Sequence, residues 1–144
     1  MSATAGPAEG ERLAGRLGLR PGQVVQELGW DDDSDEELRR SVVALTGNEL
    51  VDEDHEDVVD AVLLWWRDDD GDLVETLIDA LGPLADNGVV WLLTPKAGRP
   101  GHVEPSDINE SAPTAGLQQT STVNAGKDWT AARLVAPRAA RSRR

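Results

Sequence analysis

The chain has no cysteine, no phenylalanine and no tyrosine. Without cysteine there are no disulfides, no thiolate metal sites, no iron–sulfur ligation and no cysteine nucleophile. Without Phe and Tyr, core volume must come from Leu, Val, Ile and Ala, helped by five tryptophans among 144 residues. The only histidines, His55 and His102, stand too far apart for a local metal motif. No apolar run approaches the ~20 residues that span a bilayer. No basic-then-apolar N-terminus reads as a signal peptide. Basic charge is scarce as well: 14 Lys and Arg against 27 Asp and Glu leave −13. That balance argues against nucleic acid, whose phosphates need a basic face, and against an anionic membrane surface. The composition predicts a soluble, acidic, cytoplasmic domain.

The acids are unevenly placed. Residues 27–86 hold 21 acids and three bases, Arg39, Arg40 and Arg67. The acids gather at Asp31–Asp33, Asp52–Asp54 and Asp68–Asp72, each after an apolar segment. Two readings coexist: solvated loops and helix N-termini, where carboxylates complement the dipole, or one continuous acidic surface, since loops at the same ends of parallel strands lie side by side. The last eight residues carry four Arg and no acid. Residues 1–8 are expected to be a disordered lead, 9–136 one Rossmann-like domain and 137–144 a basic disordered tail.

Patterning gives the order of elements. Glu9 to Leu17 reads as a short helix stopped by Gly18. Arg20-Pro21-Gly22 is turn chemistry, and Val24 to Leu28 is a short buried strand. Ser34 and Glu37 form a capping box for a helix to Leu45, and Glu49 to Val51 is a weak strand. Val58 to Trp66 is the strongest apolar run and reads as a central parallel strand. Asp72 and Glu75 cap a helix whose apolar positions run from Leu73 to Leu84. Val89 to Thr94 is a second central strand beside the first. Pro95 to His102 is a loop. Ser106 opens a short helix that Pro113 ends. Gly116–Val123 and Trp129–Val135 form a hairpin around Asn124 to Lys127. The alternation predicts an α/β fold: three layers, Rossmann-like, a mainly parallel sheet with a C-terminal antiparallel hairpin at its edge.

Leu19 to Gly29 resembles the opening of a class I, S-adenosylmethionine-dependent methyltransferase: a Pro-Gly turn, a first strand, then an acid, a hydrophobe and a Gly-x-Gly-x-Gly loop. Glu27 and Gly29 match the acid and the first glycine. Asp52 or Glu53 would match the acid that holds the cofactor ribose. The segment from Asp60 to Pro95 resembles that family's fourth strand, helix and fifth strand, and the hairpin its final pair. The second and third glycines are Asp31 and Asp33 here, where the cofactor needs backbone without a Cβ. The resemblance therefore implies the scaffold and speaks against the activity. The runs Leu64 to Leu73 and Thr94 to Val103 resemble, over nearly the whole chain, the actinobacterial family named domain of unknown function 3052. That resemblance implies an actinobacterial cytoplasm and no established activity.

Lys96 and Arg99, with Gly98, Gly101 and His102, form the only basic island inside the expected domain. The loop either neutralises the Asp clusters, grips a small anion, or holds a partner peptide. Trp65 and Trp66 alternate across a strand, so one faces each side, either both under helices or one, Trp66, at the crevice beside Arg67. Trp30 follows Gly29 in a loop and suits either core or contact. His55 sits among carboxylates, but neither it nor Asp68–Asp72 completes a calcium-loop pattern. His102 has no nucleophile elbow to serve. No metal, no cofactor and no catalytic residue is expected. The candidate ligand or partner residues are Lys96, Arg99, His102, Trp30, Asp31, Asp33, Trp66 and Arg67. The expected role is a non-catalytic binding or regulatory one toward a cytoplasmic protein, through the acidic surface and the crevice at the strand ends. The alternative is a small-ligand-binding protein or enzyme using the same crevice.

Overall fold

The computed structural model describes residues 14–136. The expected lead, the tail and the first residues of the expected N-terminal helix lie outside them. Five strands form one sheet: β1 (Val25–Leu28), β2 (Val59–Trp65), β3 (Leu84–Pro95), β4 (Gln118–Asn124) and β5 (Trp129–Val135). Their spatial order is β1-β2-β3-β5-β4. β1, β2 and β3 pair in parallel, while β3–β5 and β5–β4 are antiparallel, so the sheet is mixed. β2 and β3 sit side by side at its centre, with Leu63 opposite Trp91 and Leu64 opposite Leu92. Both are apolar on both faces because both faces are covered.

Alternation along β2 sorts side chains into two layers. Ala61, Leu63 and Trp65 point toward α1 (Glu36–Thr46), joining Leu38, Val42, Trp91, Leu93 and Ala14, Leu17 and Leu19 from the N-terminal segment, whose residues 14–16 are helical. Val62, Leu64 and Trp66 point to the other face, where α2 (Leu73–Ala80) and α3 (Pro105–Thr114) supply Leu73, Leu77, Ile108 and Ala112. Three layers follow from the period of two in the strands and 3.6 in the helices. Trp65 and Trp66 each take one face, and both are buried.

Several element boundaries differ from the sequence reading. The N-cap of α1 is Asp35, which accepts from the Leu38 N–H at 2.9 Å. Ser34 instead accepts from the Asp31 N–H and closes the preceding turn. α2 stops at Ala80 because Gly82-Pro83 cannot extend it, and Leu84 opens β3 rather than ending the helix. α3 begins at Pro105, is capped by Glu104 without a side-chain bond, and runs past Pro113 to Thr114. Weak Glu49–Val51 contributes a single parallel bridge, Gln26 to Val51.

Candidate functional site

The three parallel strands end along one edge of the sheet, and the loops 29–35, 66–72 and 96–104 meet there. Gly29 has φ +77, and a Cβ on it would run into the Trp65 carbonyl oxygen at the end of β2. The glycine thus serves the close approach of two strand ends. Its carbonyl accepts from Arg67 Nη1 at 2.8 Å.

Arg67 is the hub of this edge. It is 9% exposed, and its guanidinium spans the gap between the first two loops. Nε donates to Asp33 Oδ2 at 3.1 Å, and Nη2 pairs with Asp33 Oδ1. Its own backbone N–H is held by Asp70 Oδ2 at 3.0 Å, and Nη1 lies 3.4 Å from that same oxygen. The guanidinium stacks 5.2 Å from the Trp129 ring. Trp129 donates through Nε1 to the Asp33 carbonyl and meets Trp65 edge-to-face at 4.8 Å. The hydrogen bonds from Arg67 hold the Asp33 carboxyl below its ordinary range. Within the crevice expected among residues 27–33, 65–70 and 96–102, the gap between the first two loops is therefore filled by the chain's own side chains. The backbone also seals it: a Cβ on Gly126 would strike the Asp35 carboxylate, so the hairpin turn lies against the first loop.

A second cluster lies beside the first. Glu27, 8% exposed, accepts from Trp65 Nε1 at 2.8 Å and from Arg39 at 2.6 and 2.9 Å. The Glu27 hydrogen bonds raise the Arg39 pKa above its ordinary value. Arg39 also pairs with Glu36 at 2.9 Å and stacks 5.5 Å from Trp30. Trp30 donates to Glu36 at 3.2 Å, which, with Arg39, lowers the Glu36 carboxyl. Trp30 remains 47% exposed. It stands on an open cleft of about 660 Å³ lined by Glu27, Leu28, Gly29, Asp52, Glu53 and Asp79, among others. Glu27 is neutralised by Arg39, and Asp52, Glu53 and Asp79 on the walls make no ion pair among the described residues.

The basic loop sits at the other end of the edge. The Asp68 N–H donates to the Gly101 carbonyl at 3.0 Å, so the loop lies beside the Asp68–Asp70 cluster as the parallel strands required. The electrostatic role expected of it falls elsewhere. Arg99 pairs with Asp128 at 2.7 Å. The reading in which this loop neutralises the Asp clusters is corrected: Arg67 and Arg39 pair with the acids after and within β1, because they sit between the loops rather than beside them. His102 Nδ1 bonds the Pro95 carbonyl at 2.8 Å, which pins the loop on itself. Lys96 makes no ion pair among the described residues.

Of the sequence candidates, the fold brings Asp33 and Arg67 into one network and leaves Trp30 and Asp31 exposed at the rim. Trp66 belongs to the core under α2 and α3. Arg39 and Trp129 escaped the sequence reading. Arg39 had one available signal, as one of three bases in a 60-residue acidic segment.

The residues do not fit the cofactor that the scaffold implies. Asp31 and Asp33 occupy the positions of two glycines, the Gly29 carbonyl is committed to Arg67, and Glu27 is committed to Arg39 and Trp65.

Comparison with known proteins bears on the scaffold. The chain is similar to a SAM-dependent methyltransferase from Aquifex aeolicus, with TM-score 0.59 and 13% identity, covering 92% of this chain and 93% of that one. It is similar to a precorrin-6y C5,15-methyltransferase from Geobacter metallireducens, with TM-score 0.59 and 11% identity over 88% and 86%. At those identities the likeness is one of fold. Uncharacterized proteins of Mycobacterium tuberculosis and Mycobacterium bovis are 55% identical over 131 residues, 91% of this chain and 82% of theirs. Residues 14–138 match the family described as "Protein of unknown function (DUF3052)", and the chain belongs to that family.

Proposed function

We propose that this protein is a non-catalytic binding protein of the cytoplasm, built on a methyltransferase-like scaffold, which engages a protein partner through its acidic strand-end face. The observation that carries the reading is the Arg67 network. A guanidinium bound to Asp33, to the Gly29 carbonyl and to the face of Trp129 fills the gap between the loops after β1 and β2, while Glu27, Asp52 and Glu53, the matches to the cofactor acids, line the cleft beside it. Admitting a ligand there means breaking a partly buried charge-assisted network, which costs several hydrogen bonds at once. What stays open is the neighbouring cleft, with the Trp30 indole at its rim and carboxylates along its walls. An exposed indole amid those acids suits a basic, partly apolar partner surface, since Trp anchors and complementary charge recur in protein interfaces.

A second reading rests on the same cleft. Its size lies within the ~300–1,000 Å³ range of small-molecule sites, and a small cationic ligand would suit its walls. The basic loop carries the corresponding reading for a small anion: Lys96 makes no ion pair among the described residues, and Arg99 is already committed to Asp128.

The test has two arms on the full chain. Calorimetry with millimolar S-adenosylmethionine is expected to show no binding; a low-micromolar dissociation constant would revive an enzyme. Affinity purification from the native cell is expected to recover a protein partner with the wild type and to lose it with Trp30→Ala, Asp52→Asn, Glu53→Gln combined. Recovery unaffected by those changes would remove the cleft from the partner site. Native mass spectrometry of the same eluate separates a protein partner from a small ligand.

A further inference from the structure

We propose that the free edge of β4 is a self-association surface, and that a second copy of this chain extends the sheet across it. Among the described residues, β4 ends the sheet and pairs only with β5. Among the described residues, no hydrogen bond reaches its outward backbone groups. Such a row of unpaired N–H and C=O groups is a template for another strand, and proteins usually guard it with charged side chains. Here the guard is missing. Residues 111–126 form 16 consecutive positions without a charge, in a chain where 28% of residues are charged. Gln118, Thr120, Ser121, Thr122 and Asn124 are all exposed.

Three observations choose a second copy over other occupants. The first is charge. With −13 overall, two copies repel wherever acids meet, and the opposite edge is screened by the Val51 bridge and the acids from Asp52 to Asp57. β4 is the edge along which two copies approach without opposed charges. The second is self-complementarity. The strand reads nearly the same in both directions about Ser121, with Thr120 and Thr122 on either side and amides, Gln118 and Asn124, at the ends. An antiparallel pairing about a twofold axis near Ser121 sets Thr against Thr and amide against amide. Both are favourable cross-strand pairs, and such an interface is isologous. The third is that β4 carries no charged side chain to select a different partner; the cation beside it, Arg133, stands on β5 opposite Ser121. The bulge between Gln119 and Ser121 faces β5, where Arg133 Nη1 holds the Thr120 hydroxyl at 3.0 Å. It adds twist, which keeps the pairing short and the association weak.

The test is sedimentation equilibrium of the full chain over a concentration series, at low and high salt. The wild type is expected to approach twice the 15.5 kDa chain mass, with association strengthening as salt screens the −13 charges. Ser121→Lys and Ser121→Glu should each be monomeric, because each opposes like charges at the axis. Mixing the two should restore a dimer, since opposite charges then meet. Circular dichroism checks that both variants keep the fold. A wild type that stays monomeric up to ~100 µM, a concentration that leaves only negligible affinity, overturns the proposal. Dimers unaffected by either substitution overturn it equally, because they place the interface elsewhere. This proposal stands apart from the partner-binding reading, since β4 and the Trp30 cleft lie on opposite edges of the sheet.

Discussion

At the scale of single residues, Arg67 decides how the strand-end edge behaves. It is reached from Asp33 34 positions earlier and stacks on Trp129, and neither contact is signalled by spacing along the chain. Arg67→Ala should destabilise the protein by about 1–3 kcal/mol, the scale of losing charge-assisted hydrogen bonds from a partly buried group. Arg67→Lys should recover only part of that loss, because an ammonium lacks both the planar fork and the flat stacking face. Urea unfolding of the three proteins checks the order; equal stabilities would mean that the network holds nothing together. The pH dependence has a definite sign. The Asp33 carboxyl lies below its ordinary value of 3.8 in the folded state, chiefly through the Arg67 hydrogen bonds. A group depressed on folding contributes stability that is full above its unfolded pKa and vanishes as pH falls through the folded one. The stability gap between wild type and Asp33→Asn should therefore be flat from neutral pH down to ~5 and close only below ~4. The same carboxylates explain why the edge was half legible. Asp33 and Arg67 were readable as candidates, but that they answer each other, and not a ligand, depends on tertiary geometry.

At the scale of elements, the caps carry testable weight. Asp35 caps α1 and also lies against Gly126 of the hairpin turn, whereas Ser34 closes a turn and takes one long contact, 3.4 Å, from Arg67 Nη2. Asp35→Ala should cost about 1 kcal/mol or somewhat more, the usual loss for an N-cap, while Ser34→Ala should cost less. Thermal unfolding of the two variants measures the difference, and a larger loss at Ser34 would return the cap to the capping-box position. The elements most legible in the sequence were those with the strongest pattern. β2 and β3 announced themselves as long apolar runs, and α2 by its Asp72–Glu75 cap, which accepts from the Glu75 N–H at 3.2 Å. The misread boundaries share a cause. Leu84 continues the helical period of Leu77 and Leu81, yet Gly82-Pro83 breaks the backbone and hands Leu84 to β3. Pro113 reads as a terminator, and α3 ends one residue beyond it, at Thr114, forgoing only the single i→i−4 bond that a proline cannot donate. Periodicity reports which face a residue prefers, and the backbone decides which element carries it.

At the scale of the whole molecule, the charge distribution sets a balance between attraction and repulsion whose sign is measurable. The ion pairs Arg39–Glu27 and Arg67–Asp33 are short and partly buried, so salt screens them weakly. The remaining acids of residues 27–86 stand mostly in exposed loops beside one another, where screening acts fully. Folding gathers them, and unfolding lets them separate, so their mutual repulsion weighs against the native state. Raising NaCl from ~0.01 M to ~1 M shortens the Debye length from ~30 Å to ~3 Å and should relieve that repulsion while leaving the two buried pairs largely intact. The melting temperature is therefore expected to rise with salt. Potassium chloride in place of sodium chloride should give the same rise, since the argument needs ionic strength and not a bound cation. A fall in melting temperature over that range would mean that exposed ion pairs, such as Arg99–Asp128, outweigh the clustered acids. The acidic face would then be a set of satisfied local pairs rather than a field available to a basic partner. Binding to such a partner should weaken with salt over the same range in which folding strengthens, and that opposition of signs is what an acidic docking face on a marginally stable scaffold requires.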